Sequence, residues 1–91
     1  MMRSVRSVLL QALAHHAGRP RSAIHPWQDL EHDLDMTPLE VVLVALEIEG
    51  VEDVDIDMAG LECVTTVADL SRFLGRTVAR AKLMRASRDV A

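Results

Sequence analysis

A complete helix start is written at Thr37-Pro38-Leu39-Glu40. Thr37 Oγ can accept the backbone N–H of Glu40, and the Glu40 carboxylate can reach back to the N–H of Thr37. Pro38 sits at the first helical position, where its fixed φ suits a helix and its missing N–H leaves nothing unpaired. Met36 before the cap and Val41 four residues after it form the pair of a hydrophobic staple. The apolar run from Val41 to Ile48 contains no helix breaker, and Gly50 is the expected stop. A chain with this segment at its centre has to be assembled from packed helices. The side chains agree: aromatic residues are 2% of the chain (Trp27 and Phe73), whereas sheets favour aromatic and β-branched residues.

Other elements follow from spacing. Val5, Leu9, Ala12 and Leu13 predict a first helix from Met2 to about His16, ended by Gly18 and Pro20. The stretch from there to Met36 shows little periodicity and reads as an ordered loop with a turn of helix, anchored by Ile24, Trp27, Leu30 and Leu34. Val51 to Asp57 alternates apolar with acidic residues but lacks a partner strand, so it reads as an extended loop leading to a short helix around Asp57 to Glu62. Thr66-Val67-Ala68-Asp69 is a second capping box, opening a last helix with Val67, Leu70, Phe73, Leu74 and Val78. Gly75 is expected to end or weaken it. With 91 residues and 10.1 kDa, the chain is too short for two cores. The expectation is an all-α, small four-helix bundle over residues 1–75, with a long first loop and a short third helix, and a basic helical extension or tail over 76–91.

The second helix is apolar on more than one side. Leu39, Val42, Leu43 and Leu46 suffice for a core face, and Val41, Val44, Ala45 and Ile48 extend beyond it. Such a helix is either central or offers apolar surface to a partner. Glu40 and Glu47 share a face with Val44 between them, which would combine acidic and apolar contacts.

Charge is segregated. Thirteen acidic residues and no Lys or Arg lie between Ser22 and Ser71, while all ten basic residues lie outside. The acidic middle repels nucleic-acid phosphate and steers basic protein surfaces towards it. The basic end could bind an anionic partner or membrane, fold back on the middle, or solubilise the terminus. No apolar run approaches the roughly 20 residues that span a bilayer. Gln11 interrupts Val8-Leu9-Leu10, so the N-terminus reads as an amphipathic helix rather than an export signal.

Signatures of chemistry are weak. An EF-hand loop beginning at Asp53-x-Asp55-x-Asp57 would need Gly and Glu where Met58 and Val64 stand, so no metal is expected. His15, His16, His25 and His32 form no ligand pair. Cys63, the single cysteine, excludes an internal disulfide, suits a reducing cytoplasm, and reads as a small buried residue. No nucleophile elbow, P-loop or dinucleotide fingerprint is present, and no catalytic residue is assigned.

The run from Glu31 to Glu47 resembles acyl carrier proteins. In that family a loop ending in Asp-Ser-Leu precedes a long acidic recognition helix with an Ala-Leu-Glu stretch, matched here by Ala45-Leu46-Glu47. Counting back sets Asp35 on the family's Asp, Met36 on its Ser and Thr37 on its Leu. Thr65-Thr66-Val67 resembles the start of the fourth helix, and the likeness covers about Met2 to Leu74. The family's Ser is esterified by 4′-phosphopantetheine, whose thiol carries the acyl chain. Met36 has no hydroxyl and cannot form that ester. The resemblance thus implies a carrier-like interaction module without the arm, a monomer in lipid metabolism. Asp35, Glu40, Val44, Glu47 and Ile48 would contact the basic surface of an acyl-processing or synthase-type protein. The alternative is an acyl carrier of fatty-acid or polyketide-type biosynthesis, modified at another hydroxyl such as Thr37.

Overall fold

The computed structural model describes residues 4–89. Helix α1 spans Val5–Ala17, α2 spans Pro38–Glu52 and α3 spans Val67–Asp89, with a 3-10 helix at Met58–Cys63 between the last two. A further 3-10 turn occupies Arg21–Ala23. The expected four helices, with a short third, are therefore present; residues 1–3, where the first helix was expected to begin, lie outside the described residues. No strand occurs among the described residues; of the expected extended loop from Val51 to Asp57, Val51 and Glu52 instead complete α2, and the loop over residues 53–57 buries Val54 and Ile56. The only pairing of strand type among the described residues is an isolated antiparallel bridge between Asp29 and Thr66.

Each long helix begins on a side-chain cap. Ser4 Oγ accepts the N–H of Ser7 at 3.1 Å. At α2, Thr37 Oγ1 accepts from Glu40 N at 3.2 Å while Glu40 Oε1 accepts from Thr37 N at 3.1 Å. At α3, Thr66 Oγ1 accepts from Asp69 N, and Asp69 Oδ2 accepts from Thr66 N, both at 3.1 Å. Gly18 ends α1 in the left-handed region at φ +66°, where a side chain would be strained.

Two expected stops do not stop anything. Gly50 lies inside α2, which continues to Glu52 and is capped by Asp53 at φ +54°. The helix gains one more turn because Asp53 can adopt the left-handed conformation itself. Gly75 lies inside α3, which passes from the bundle into the basic segment without a break. Residue 75 is therefore no boundary: Val78 is buried beyond it, and Ala81 packs on the core. A Cβ at Gly50 would meet nothing within 4 Å. Gly50→Ala is accordingly expected to stabilise the domain by about 0.5–1 kcal/mol, visible as a raised Tm.

The core is built from Leu9 and Leu13 of α1, Val44 and Ile48 of α2, Leu70 and Leu74 of α3, and Leu34 of the first loop, all at most 1% exposed. Ile24, Leu30 and Leu34 anchor that loop as expected, but Trp27 does not. It is 69% exposed and stacks on the His25 ring with centroids 5.6 Å apart. The anchor at this point is polar. Gln28 is buried; its Oε1 accepts from His25 N at 2.6 Å and its Nε2 donates to Ala23 O at 3.1 Å. Its carbonyl also accepts from Val67 N at 3.0 Å, tying the loop to the start of α3. Cys63 is exposed rather than buried, because it ends the 3-10 helix on its solvent side.

The Asp69 carboxyl is held below its ordinary value of 3.8 by the N–H groups of Thr66 and Thr65 and then by Arg72. Because the folded value is the lower one, the unfolded chain takes up the proton first as pH falls. The contribution is full above 3.8 and drains away as pH drops through the folded value. Asp69→Asn is expected to lower Tm at neutral pH, with the gap to the native chain closing on acidification through that window in a pH series of thermal melts.

Candidate functional site

The residues singled out by the family resemblance separate into three groups. Asp35, Met36 and Thr37 form the entry to α2. Asp35 is exposed and left-handed at φ +54°, turning the chain so that Met36 N donates to Leu30 O at 2.9 Å. Met36 is then 2% exposed. It is buried, as is Val41, and both line one cleft, as the two halves of a staple should. Thr37 is exposed, but its hydroxyl is engaged on both sides, accepting from Glu40 N and donating to Glu40 Oε1, each at 3.2 Å. A phosphodiester to 4′-phosphopantetheine needs a free hydroxyl at the surface, and these residues do not fit it: Met36 has none, and that of Thr37 closes the cap.

Glu40 and Glu47 form the second group. Glu40 is half-buried and serves the capping box. Glu47 is exposed on the edge of α2, and its Oε1 lies 3.0 Å from His16 Nε2 at the end of α1.

Val44 and Ile48 are the third group, and for them the expected role is corrected. Both are 0% exposed. Neither can touch a partner without opening the core. The helix is rotated about half a turn from the orientation in which Leu39, Val42, Leu43 and Leu46 are the core face. Val41, Val44, Ala45 and Ile48 point inward, and Leu39, Leu43 and Leu46 are 66%, 39% and 44% exposed. Leu39, Leu43 and Leu46 recur at steps of four and three residues and therefore line one face. That face is opposite the buried one, with Glu47 and Glu40 along its edge.

The staple carries the signal that would have set this rotation. Its partner Val41 has to turn towards Met36 and the incoming chain, and Val44, Ala45 and Ile48 share the side of Val41.

Beside the entry to α2 lies a cleft of about 590 Å³. Its floor is apolar, from Leu30, Met36, Val41, Val42, Met58 and Leu61. Asp29, Glu31 and Glu62 stand in its lining with His32, and no Lys or Arg does. The 3-10 helix supplies Met58 and Leu61, two of these six floor residues, which only the fold brings against α2.

Elsewhere, two of the three aspartates that suggested calcium work as caps. Asp53 ends α2, and Asp57 Oδ1 accepts from Ala59 N at 3.1 Å. Among the described residues no three of His, Cys, Asp and Glu converge as metal ligands. No described helix is long and apolar enough to cross a membrane. No protein-family model matches the chain, and no curated protein matches its sequence.

Proposed function

We propose that the chain is a carrier-like interaction module without a phosphopantetheine arm, docking through the solvent face of α2 on the basic surface of an acyl-processing or synthase-type protein. The observation that carries this reading is the row Leu39, Leu43 and Leu46, exposed on the side of α2 opposite the core. Covering a leucine contributes about 1.5–3 kcal/mol when burial is complete, so this row would supply most of the binding energy. Glu47 and Glu40 at its edge would steer a basic partner and make association faster at low salt. Asp35 stands at the head of the same helix, exposed and on the acidic side of the chain's charge balance.

The absence of the arm is tested by intact mass, on protein from its own host and again after incubation with coenzyme A and a broad-specificity phosphopantetheinyl transferase. The mass is expected to be unmodified in both. A gain of one phosphopantetheine, mapped by fragmentation to Thr37 or another hydroxyl, would replace this reading with the carrier. The docking face is tested by Leu43→Glu with Leu46→Glu, which leaves the core untouched. Binding to acyl-processing enzymes of the host is expected to be lost with the fold intact; unchanged binding would move the interface off α2.

A further inference from the structure

The chain carries both halves of a second interaction. One half is the cleft at the entry to α2, with its apolar floor and its Asp29, Glu31 and Glu62 lining. The other is the end of α3. Leu83 is 69% and Met84 57% exposed, both beyond Val78, the last buried residue of that helix among the described residues. Arg76 and Arg80 precede Met84 at successive four-residue steps and so put positive charge along the same side. A large apolar pair bordered by arginines matches an apolar cleft bordered by carboxylates in polarity and in sign.

These halves cannot meet within one molecule. The end of α3 is held at the far end of α2: Lys82 Nζ pairs with Glu52 Oε2, and Arg85 donates to the backbone carbonyl of Asp53. The cleft lies at the first turn of α2, by Met36 and Val41. The 15-residue helix between separates them by about 22 Å.

We propose that the occupant of the cleft is the Leu83–Met84 end of α3 from a second copy of this chain, in a reciprocal dimer with each tail in the other's cleft. The reciprocal arrangement closes on itself, whereas a one-way contact would propagate into a fibre. This goes beyond the docking reading and does not depend on it, since it uses neither Leu43 nor Leu46.

Sedimentation velocity over a concentration series tests it. The native chain is expected to show a reversible monomer–dimer equilibrium, weakened by added salt. Leu83→Glu with Met84→Glu disables the tail, and Glu31→Lys with Glu62→Lys disables the cleft. All four residues are exposed. Each pair is expected to weaken self-association at least about tenfold while keeping the helical circular dichroism signal. Mixing the two variants restores one intact tail and one intact cleft, so a mixed dimer should return. A chain that stays monomeric at every concentration overturns the proposal. So does a dimer that ignores both variants, or one that mixing fails to restore; these would point to the leucine row of α2 or to a different partner. Leu83→Ser with Met84→Ser and Glu31→Gln with Glu62→Gln repeat the test if a charge reversal disturbs folding.

Discussion

Ile48→Asp is expected to leave the domain unfolded at neutral pH, while Leu43→Asp, five residues earlier in the same helix, is expected to leave it folded with a modestly lower Tm. Ile48 is 0% exposed, within the hydrophobic core. The substitution removes its buried methyl and methylene groups and puts a carboxylate into the apolar core. The lost burial alone costs about 2–4 kcal/mol, and an unpaired buried charge adds several more. A domain of this kind holds about 5–15 kcal/mol in total, so the sum is comparable with its whole stability. Leu43 is 39% exposed and lies outside the core, so the change costs only part of a leucine's burial and some helix propensity, about 1 kcal/mol. Circular dichroism melts of the two variants compare the two faces of α2 directly. Equal losses would show that α2 is not oriented as described.

Gly60→Ala is expected to destabilise by about 1–3 kcal/mol, the range for overpacking a filled site. Gly60 sits in the 3-10 helix facing α3. A Cβ there would fall 2.6 Å from Cζ of Phe73 and closer still to Cε1. The ring is half-buried and packed against the core, so it has to shift to make room. For a domain of this size each kcal/mol lowers Tm by about 4–8 °C. Gly60→Ala with Phe73→Leu should recover part of the loss, because the smaller side chain frees the space. A Gly60→Ala melt matching the native one would mean that the 3-10 helix can slide on α3 without penalty. Gly50→Ala makes the control, since the same added methyl there meets open space.

Much of the fold could be read along the chain because the deciding interactions are local. Thr37 with Glu40 and Thr66 with Asp69 each satisfy backbone donors within one turn, so the starts of α2 and α3 depend on four residues apiece. Gly18 ends α1 for the same kind of reason, a left-handed backbone angle that glycine adopts without strain. The stops at Gly50 and Gly75 were misleading because glycine permits a helix to end without requiring it. Past Gly50 the left-handed Asp53 took over the cap, and past Gly75 the packing of Val78 and Ala81 carried the helix on.

The candidate site was less legible. The chain shows that α2 is apolar on two sides, and two complete stripes at helical spacing cannot be ranked by counting hydrophobic residues. Trp27 illustrates the same difficulty, since a large apolar side chain marks capacity for burial and not its location. Gln28 is the opposite case: a polar residue whose burial is only possible once His25 N and Ala23 O stand ready to satisfy it.

The amino-acid sequence by itself determined an all-helical chain, the first turns of α2 and α3, the acidic middle and basic end, and the missing hydroxyl at Met36. These depend on residue chemistry and on contacts within a turn. Only the tertiary structure decided that Val44 and Ile48 face inward and Leu39, Leu43 and Leu46 outward, that Met58 and Leu61 complete a cleft beside Met36, and that the basic end is an extension of α3 lying at the far end of α2. Those depend on how helices rotate and meet to bury the greatest apolar area, which is a property of the assembled core and not of any one segment.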